Sequence, residues 1–290
     1  METTRRVIDA HVHLDRFAER PGPGFDFFNP PRVEIITDEI VALMDANGVE
    51  KAVIMQHPNG ALNDEASQAI ADHPGRFRGA MILRYGDESC LSEMEANVRR
   101  GLSAIKLEMF GTTMYYPDFR LDSDLLLKVY AKAQELGVVI TIDPLRIGLP
   151  SYQPDALEKV IPAFPDLKFV ICHLGFPLAN SHTEPGNDTM WRRMLHLAHF
   201  DNVWFDVTAM PDMFAGIETY PYPSAVALVR DFITTYGADK PMFGSDLPEE
   251  LNRDGYDRLI GMFAGSDAFT EDEKSKLLHD NANRVYFGQA

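Results

Sequence analysis

Short runs of apolar, β-branched residues recur along the chain, with amphipathic segments between them. Several of these runs, such as AVIM at 52–55 and FVIC at 169–172, are continuously apolar, as strands buried on both faces are. Alternation of such strands with helical segments predicts a parallel sheet joined by crossover helices. The eight predicted strands span residues 6–10, 51–56, 77–83, 104–107, 138–142, 168–172, 203–206 and 241–243.

The segments between the runs carry helix start and stop signals. Residues 37–47 begin with Thr37 as the expected N-cap and end before Gly48, while residues 122–136 end before Gly137. Eight strand–helix units over about 250 residues predict a distorted (β/α)₈ TIM barrel with a C-terminal helix. An open doubly wound sheet is the alternative, although the sequence contains neither GxGxxG after the first strand nor GxxxxGK[ST].

Composition narrows the classes of partner. The chain has 290 residues, of which 45% are hydrophobic, and its formal net charge is −17. Such a charge opposes binding to nucleic acid and to anionic membranes, so a small-molecule substrate is expected. Without an apolar leader, a spanning segment or a disulfide framework, a cytoplasmic protein is predicted in which Cys90 and Cys172 are buried or idle. No repeat or linker divides the chain, so residues 1–290 are predicted to form a single domain, with a homodimer as the favoured assembly.

Polar residues follow three of the predicted strands at the point where each strand ends. His11 and His13 end the first strand and, being two residues apart, share a face. His173 follows the sixth strand and Asp246 follows the eighth. Because barrel chemistry lies at the carboxyl ends of the strands, these four side chains are expected to converge. Their nitrogen and carboxylate donors suit one divalent ion, Zn²⁺ before Mn²⁺ or Fe²⁺.

Further charged residues end the third, fourth and fifth strands. Lys106 and Glu108 share one face of the fourth strand, and Glu108 is an additional candidate metal ligand. A buried lysine needs a partner or a use, so Lys106 is expected to bind a substrate carboxylate, to be carbamylated, or to pair with Glu108 or Asp143. Asp143 is a candidate for metal or substrate binding. Arg84 and Arg146 are candidates for recognising an anionic substrate.

Two segments of the chain have the composition of structured loops. Residues 21–31 are dense in Pro, Gly and Phe, and residues 176–188 follow the sixth strand. Both are predicted to leave the barrel at the end that builds the active site. They either cover a pocket or are surface insertions, and the sequence leaves both interpretations open.

These motifs resemble those of the amidohydrolase superfamily, in particular its amidohydrolase 2 branch. The resemblance rests on DxHxH at residues 9–13, GLSAIKL at 101–107, HLG at 173–175, GSDLP at 244–248 and NANRVYFG at 281–288, which occur in the order typical of the family. It implies a distorted TIM barrel. The branch includes lactone, ester and amide hydrolases, among them 2-pyrone-4,6-dicarboxylate hydrolase-like lactonases, as well as nonoxidative decarboxylases.

One residue departs from the pattern of the family. Where the family commonly ends the fifth strand with a histidine, this sequence has Asp143. The missing ligand weakens a two-metal interpretation and favours a mononuclear site. A site without metal is the alternative, since some lactonases of the branch are thought to work that way. In that case the histidines and Lys106 would polarise the carbonyl.

The leading functional hypothesis is hydrolysis of a small carboxylated lactone, or of a related ester or amide. Asp246 and His173, with Lys106, are the predicted catalytic residues, and Asp246 activates the attacking water. Metal-dependent decarboxylation of an aromatic or dienoic acid is the first alternative. A non-catalytic barrel that binds a metabolite is the second.

Overall fold

The computed structural model describes residues 6–16, 34–55, 63–177, 185–214 and 216–288. Eight parallel strands form one sheet in the order β1 to β8, so each strand lies beside its neighbour in sequence. The strands are β1 Val7–Val12, β2 Val49–Ile54, β3 Phe77–Met81, β4 Ala104–Glu108, β5 Val139–Asp143, β6 Phe169–Ile171, β7 Val203–Asp206 and β8 Pro241–Met242. All eight predicted strands are confirmed, with shifts of one or two residues at most ends.

Backbone hydrogen bonds join the first strand to the last and close the barrel. The amide of Ala10 donates to the carbonyl of Phe243 at 2.9 Å, and the amide of His13 donates to that of Leu247 at 2.7 Å. The amide of Asp246 donates to the carbonyl of His11 at 2.9 Å. The predicted (β/α)₈ barrel is therefore confirmed. It also follows that the segments after β1 and β8 lie side by side.

Helices surround the strands and fill the connections between them. The described helices are α1 Thr37–Ala46, α2 Asn63–Asp72, α3 Ser89–Arg99, α4 Met109–Tyr115, α5 Asp124–Leu136, α6 Pro154–Ala163, α7 Pro185–Leu195, α8 Met210–Met213, α9 Pro223–Tyr236, α10 Tyr256–Ala264, α11 Glu271–Ser275 and α12 Asn281–Tyr286. Within the described ranges, none of them is long and apolar enough to cross a membrane.

The predicted helix ends are only partly right. Helix α5 ends as expected, because Gly137 adopts the left-handed conformation (φ 67°) that stops a helix. The expected Thr37 cap is wrong, since the N-cap of α1 is Ile36 and no side chain caps that end. The predicted loop 21–31 lies outside the described residues, as does most of 176–188. The last four residues of the latter belong to α7, which begins at Pro185.

The barrel interior is apolar at one end and polar at the other. A buried cluster of mostly small and branched side chains fills the apolar end of the interior, and the C-terminal helix α12 packs against this cluster. Within this interior the hydroxyls of Thr141 and Tyr286 lie 2.8 Å apart. Above the apolar layer, at the carboxyl ends of the strands, lie Lys106, Asp143 and the buried histidines. The free thiols of Cys90 and Cys172 are buried, as predicted.

Candidate active site

Asp9, in β1, bonds the segment that follows β8, and so links two of the regions that carry candidate metal ligands. Its carboxylate is fully buried, and one oxygen accepts from the amides of His11 (3.0 Å) and Ser245 (2.9 Å). The other oxygen accepts from the hydroxyl of Tyr256 at 2.6 Å. Burial raises the pKa of Asp9 to about 6, against the lowering effect of these hydrogen bonds. Asp9 therefore fixes the end of β1 against the segment after β8.

A register shift in β1 decides which way its histidines point. Ala10 lies in the apolar barrel interior, yet His11 and His13 both face the polar end. The pairing of β1 with β2 is irregular between Asp9 and Val12, and such a bulge re-aims the side chains that follow it. The prediction that His11 and His13 share a face is confirmed.

Three candidate ligand atoms converge after β1 and β8. Nε2 of His13 lies 3.1 Å from Oδ1 of Asp246, and Nε2 of His11 lies 3.5 Å from the same oxygen. Nδ1 of His13 donates to the carbonyl of Met55 at 2.6 Å, which leaves Nε2 facing the carboxylate. Asp246 sits in the left-handed region (φ 62°), and this turn brings its side chain over the barrel.

The ring of His11 is fully buried, and its Nε2 has no hydrogen-bond partner among the described residues. Burial lowers the pKa of His11 to about 4, although Asp206 opposes this, so the ring is neutral near pH 7. Burial acts to raise the pKa of Asp246, because it disfavours the charged carboxylate. The hydrogen bond with His13 and the nearby imidazoles outweigh burial and hold the pKa of this carboxyl well below the usual range. A neutral imidazole with an unpartnered nitrogen beside an ionised carboxylate is what a divalent ion requires. The residues therefore fit a metal.

His173 faces a different carboxylate from the other histidines. Its backbone is left-handed (φ 57°), Nδ1 lies 2.9 Å from the hydroxyl oxygen of Thr208, and Nε2 lies 3.5 Å from Oδ2 of Asp143. Burial lowers the pKa of His173, but Asp143 outweighs it and raises the pKa to about 9. Two groups of candidate ligands result, His11 with His13 and Asp246, and His11 with His173 and Asp206.

Lys106 and Asp143 form a buried pair on adjacent strands. Lys106 is 2% exposed, and its Nζ lies 3.7 Å from Oδ2 of Asp143. Burial disfavours the ammonium, but Asp143 raises the pKa of Lys106 above its usual value. Burial also acts to raise the pKa of Asp143, yet His173 and Lys106 hold it below the usual range. Of the expected partners of Lys106, Asp143 is therefore the one it pairs with.

Glu108 lies beside this pair. It accepts a hydrogen bond from the amide of Gly111 at 2.7 Å and so caps helix α4. Burial raises the pKa of Glu108 to about 7, and the charge of Asp143 adds to that effect. Glu108 belongs to neither of the two ligand groups found among the described residues. Arg84 and Arg146, the candidates for recognising an anionic group, have exposed side chains.

Three acidic residues near the site are absent from the sequence-based prediction. Asp206, at the end of β7, is fully buried and contacts both His11 and His173. Glu249 and Glu250 follow Pro248, and burial together with Asp246 raises their pKa values to about 9 and about 8. The available signal for Asp206 was its place as the last residue of a buried strand, the rule that identified the other candidates.

The model of the amidohydrolase 2 family matches residues 8–288 of the chain. The chain belongs to the amidohydrolase family. Membership confirms the resemblance drawn from the DxHxH, HLG and GSDLP motifs, and with it an enzyme of the amidohydrolase superfamily.

Two curated relatives match part of this amidohydrolase. The uncharacterized protein y4mH of Sinorhizobium fredii is 28% identical over 137 residues, which are 47% of this chain and 44% of that protein. A dihydroorotase of Helicobacter pylori is 29% identical over 136 residues, which are 42% of this chain and 40% of that protein. The chain thus spans less than half the length of these curated relatives.

Solved structures match the amidohydrolase over nearly its whole length. A protein of Pseudomonas putida described as a 2-pyrone-4,6-dicarboxylic acid hydrolase is 20% identical, with a TM-score of 0.72 over 98% of each chain. An amidohydrolase of Burkholderia multivorans with bound zinc is 19% identical, with a TM-score of 0.66 over 97% of this chain and 99% of the other. A 2,6-dihydroxybenzoate decarboxylase complexed with 2,6-dihydroxybenzoate is 16% identical, with a TM-score of 0.65 over 98% of each. Likeness at this level of identity shows the shared fold.

Proposed function

We propose that this amidohydrolase hydrolyses a lactone, or a related ester or amide, in a small carboxylated molecule. We further propose one divalent ion, zinc by its donor set, held by His11, His13 and Asp246. The observation that carries the proposal is the fully buried Nε2 of His11, which has no hydrogen-bond partner among the described residues and faces Asp246. Burying such a nitrogen is costly unless a ligand meets it. The zinc-bound relative from Burkholderia multivorans supports this choice of ion.

Water activation falls to Asp246 in this proposal. A metal in the site supplies Lewis-acid polarisation of the substrate carbonyl and makes water more acidic. Asp246 keeps its carboxylate ionised, and its side chain is 16% exposed. Oδ1 faces the two histidines, so Oδ2 is the atom left to accept the proton of the attacking water.

Two cationic side chains are placed to stabilise the negative charge that develops on the carbonyl oxygen. His173 is an imidazolium near pH 7 because Asp143 raises its pKa, and Lys106 is an ammonium. Both face the same Oδ2 of Asp143, so the pair is fixed before substrate binds. The same charges favour a substrate that carries a carboxylate. In a site without metal, Lys106 and the histidines would polarise the carbonyl alone.

The test is turnover of a panel of lactones, esters, amides and aromatic acids, followed by proton release and by product mass. Hydrolysis of a lactone or an ester releases a proton near pH 7, whereas in amide hydrolysis the amine product takes that proton up. All three reactions add one water to the substrate, which the product mass reports. Asp246→Asn is expected to reduce kcat by about 100- to 10,000-fold, because it removes the proton acceptor. The control is Asp254→Asn, a buried carboxylate that accepts from Tyr222 and pairs with Arg258.

Other outcomes would contradict the proposal. Full activity of Asp246→Asn would remove Asp246 from the mechanism. Release of carbon dioxide without uptake of water would establish the decarboxylase alternative, whose fold the chain shares. No turnover anywhere on the panel would favour the non-catalytic barrel, against which membership of an enzyme superfamily stands.

A further inference from the structure

Asp206 contacts two histidines that come from different strands. It is fully buried at the end of β7, between β6 and β8. Its Oδ2 lies 3.1 Å from Nδ1 of His11. Its Oδ1 accepts from the amide of His173 at 2.6 Å and from the hydroxyl of Thr208. One carboxylate therefore reaches the β1 and β6 sides of the site at once.

We propose that Asp206 is a positioning residue that fixes the tautomer of His11. The inference rests on the proposed metal site, because the tautomer concerned is the one that presents an unprotonated Nε2 to the ion. A carboxylate oxygen only accepts hydrogen bonds, so the 3.1 Å contact places a ring proton on Nδ1 of His11, next to Asp206. The lone pair of Nε2 then points toward Asp246. A carboxylate behind a metal-binding histidine generally fixes the orientation and the tautomer of the ring.

The second oxygen explains why an amide could not replace the carboxylate. Oδ1 already accepts from the backbone of His173 and from Thr208, so both ends of the group at position 206 must be acceptors. An asparagine has one acceptor end and one donor end. If its oxygen faces His173, its NH₂ faces Nδ1 of His11 and forces the ring proton onto Nε2. If the side-chain amide is turned round, its NH₂ faces the backbone N–H of His173, and two hydrogen-bond donors meet without an acceptor.

Thr208 extends the same network to the ring of His173. Its hydroxyl oxygen lies 2.9 Å from Nδ1 of His173 while it bonds Asp206. Thr208 contacts only Oδ1 of Asp206, whereas His11 contacts Oδ2. Thr208→Val therefore removes the link to the ring of His173 and keeps the contact with His11. It should alter the surroundings of His173 and leave the tautomer of His11 as it is.

The first test measures zinc affinity by competition with a chromophoric chelator, which needs no substrate. Asp206→Asn is expected to weaken zinc binding by about 10- to 100-fold, the usual effect of removing such a partner. Asp254→Asn is the matched control and should bind zinc as the wild type does, because this buried carboxylate bonds Tyr222 and Arg258 away from the histidines. Equal zinc affinity in Asp206→Asn and the wild type would overturn the proposal.

The second test reads the tautomer directly from long-range ¹H–¹⁵N correlation spectra of the metal-free protein. In the wild type the proton of His11 should be on Nδ1, and in Asp206→Asn it should move to Nε2. A wild-type proton on Nε2 would overturn the proposal, whether or not the variant folds. If the wild type binds no zinc but the tautomer still changes in the variant, the metal site fails and the positioning role of Asp206 stands.

Discussion

Asp143 should control how the activity depends on pH at the alkaline end. It raises the pKa of His173 to about 9, so the imidazolium is present below that pH and is lost above it. If the imidazolium stabilises the developing charge, kcat/KM of the wild type falls as the pH rises through about 9. Asp143→Asn removes the charge, and the fall should begin at lower pH.

The matched control is Asp122→Asn, which removes a carboxylate that pairs with Arg120 and Lys159 away from the histidines. This variant should leave unchanged the pH at which kcat/KM falls on the alkaline side. An NMR titration of the His173 ring reports the same shift without substrate. An unchanged pH for this fall together with an unchanged titration in Asp143→Asn would contradict the role given to this pair.

The ion pair between Asp143 and His173 also stabilises the folded chain, and the shifted pKa of His173 gives the direction in which this stabilisation changes with pH. The pKa of His173 is higher in the folded chain than the usual 6.5. Its stabilising contribution is therefore fully present below about pH 6.5 and is lost progressively as the pH rises through about 9. The difference in free energy of unfolding between wild type and Asp143→Asn should shrink over this interval.

Residues differ in how far the sequence reveals their role. His11, His13 and Asp246 could be identified because they end buried strands, and the alternation of side chains places both histidines on one face. The orientation of His173 could not be identified, because it depends on a left-handed backbone and on the carboxylate of Asp143, which ends the neighbouring strand β5. Asp206 was missed although it ends a buried strand, the signal that identified the other candidates; the sequence does not show which groups its two oxygens contact.

At the scale of elements, the junction between β1 and the segment after β8 depends on Asp9 and Tyr256. Tyr256→Phe removes the hydroxyl that donates to Asp9 at 2.6 Å and leaves a buried carboxylate oxygen without that bond. Because hydrogen bonds to charged groups contribute about 1.5–3 kcal/mol, the free energy of unfolding should fall by about that amount. Chemical denaturation measures it.

Tyr130→Phe is the control for this loss. Tyr130 is also fully buried, on α5, but its hydroxyl has no hydrogen-bond partner among the described residues. Removing a hydroxyl that makes no hydrogen bond should leave the stability unchanged or raise it. Equal losses in the two variants would show that the bond to Asp9 does not hold the junction.

The elements themselves were largely predictable, and the exceptions have physical reasons. The eight predicted runs all form strands, and several of them are continuously apolar, as parallel strands buried on both faces are. The irregular pairing within β1 was not predictable, since nothing in the residues 9–13 distinguishes a regular strand from a bulged one. That irregularity turns His11 and His13 toward the site.

At the scale of the whole molecule, barrel closure brings residues from both ends of the chain together. The backbone bonds between β1 and the segment after β8 place His11 and His13 beside Asp246, which lies more than two hundred positions later in the sequence. The order of strands follows from the fold, so this encounter was predictable once the barrel was recognised. The predicted homodimer and cytoplasmic location stay predictions.

The central claim is that one divalent ion binds between His11, His13 and Asp246. The measurement that tests it most directly is metal content per chain by elemental mass spectrometry, on protein purified without chelator and without added metal. One equivalent of zinc, lost in His11→Ala, is the predicted result. No metal in protein that still hydrolyses substrate, or two equivalents per chain, would contradict the mononuclear site.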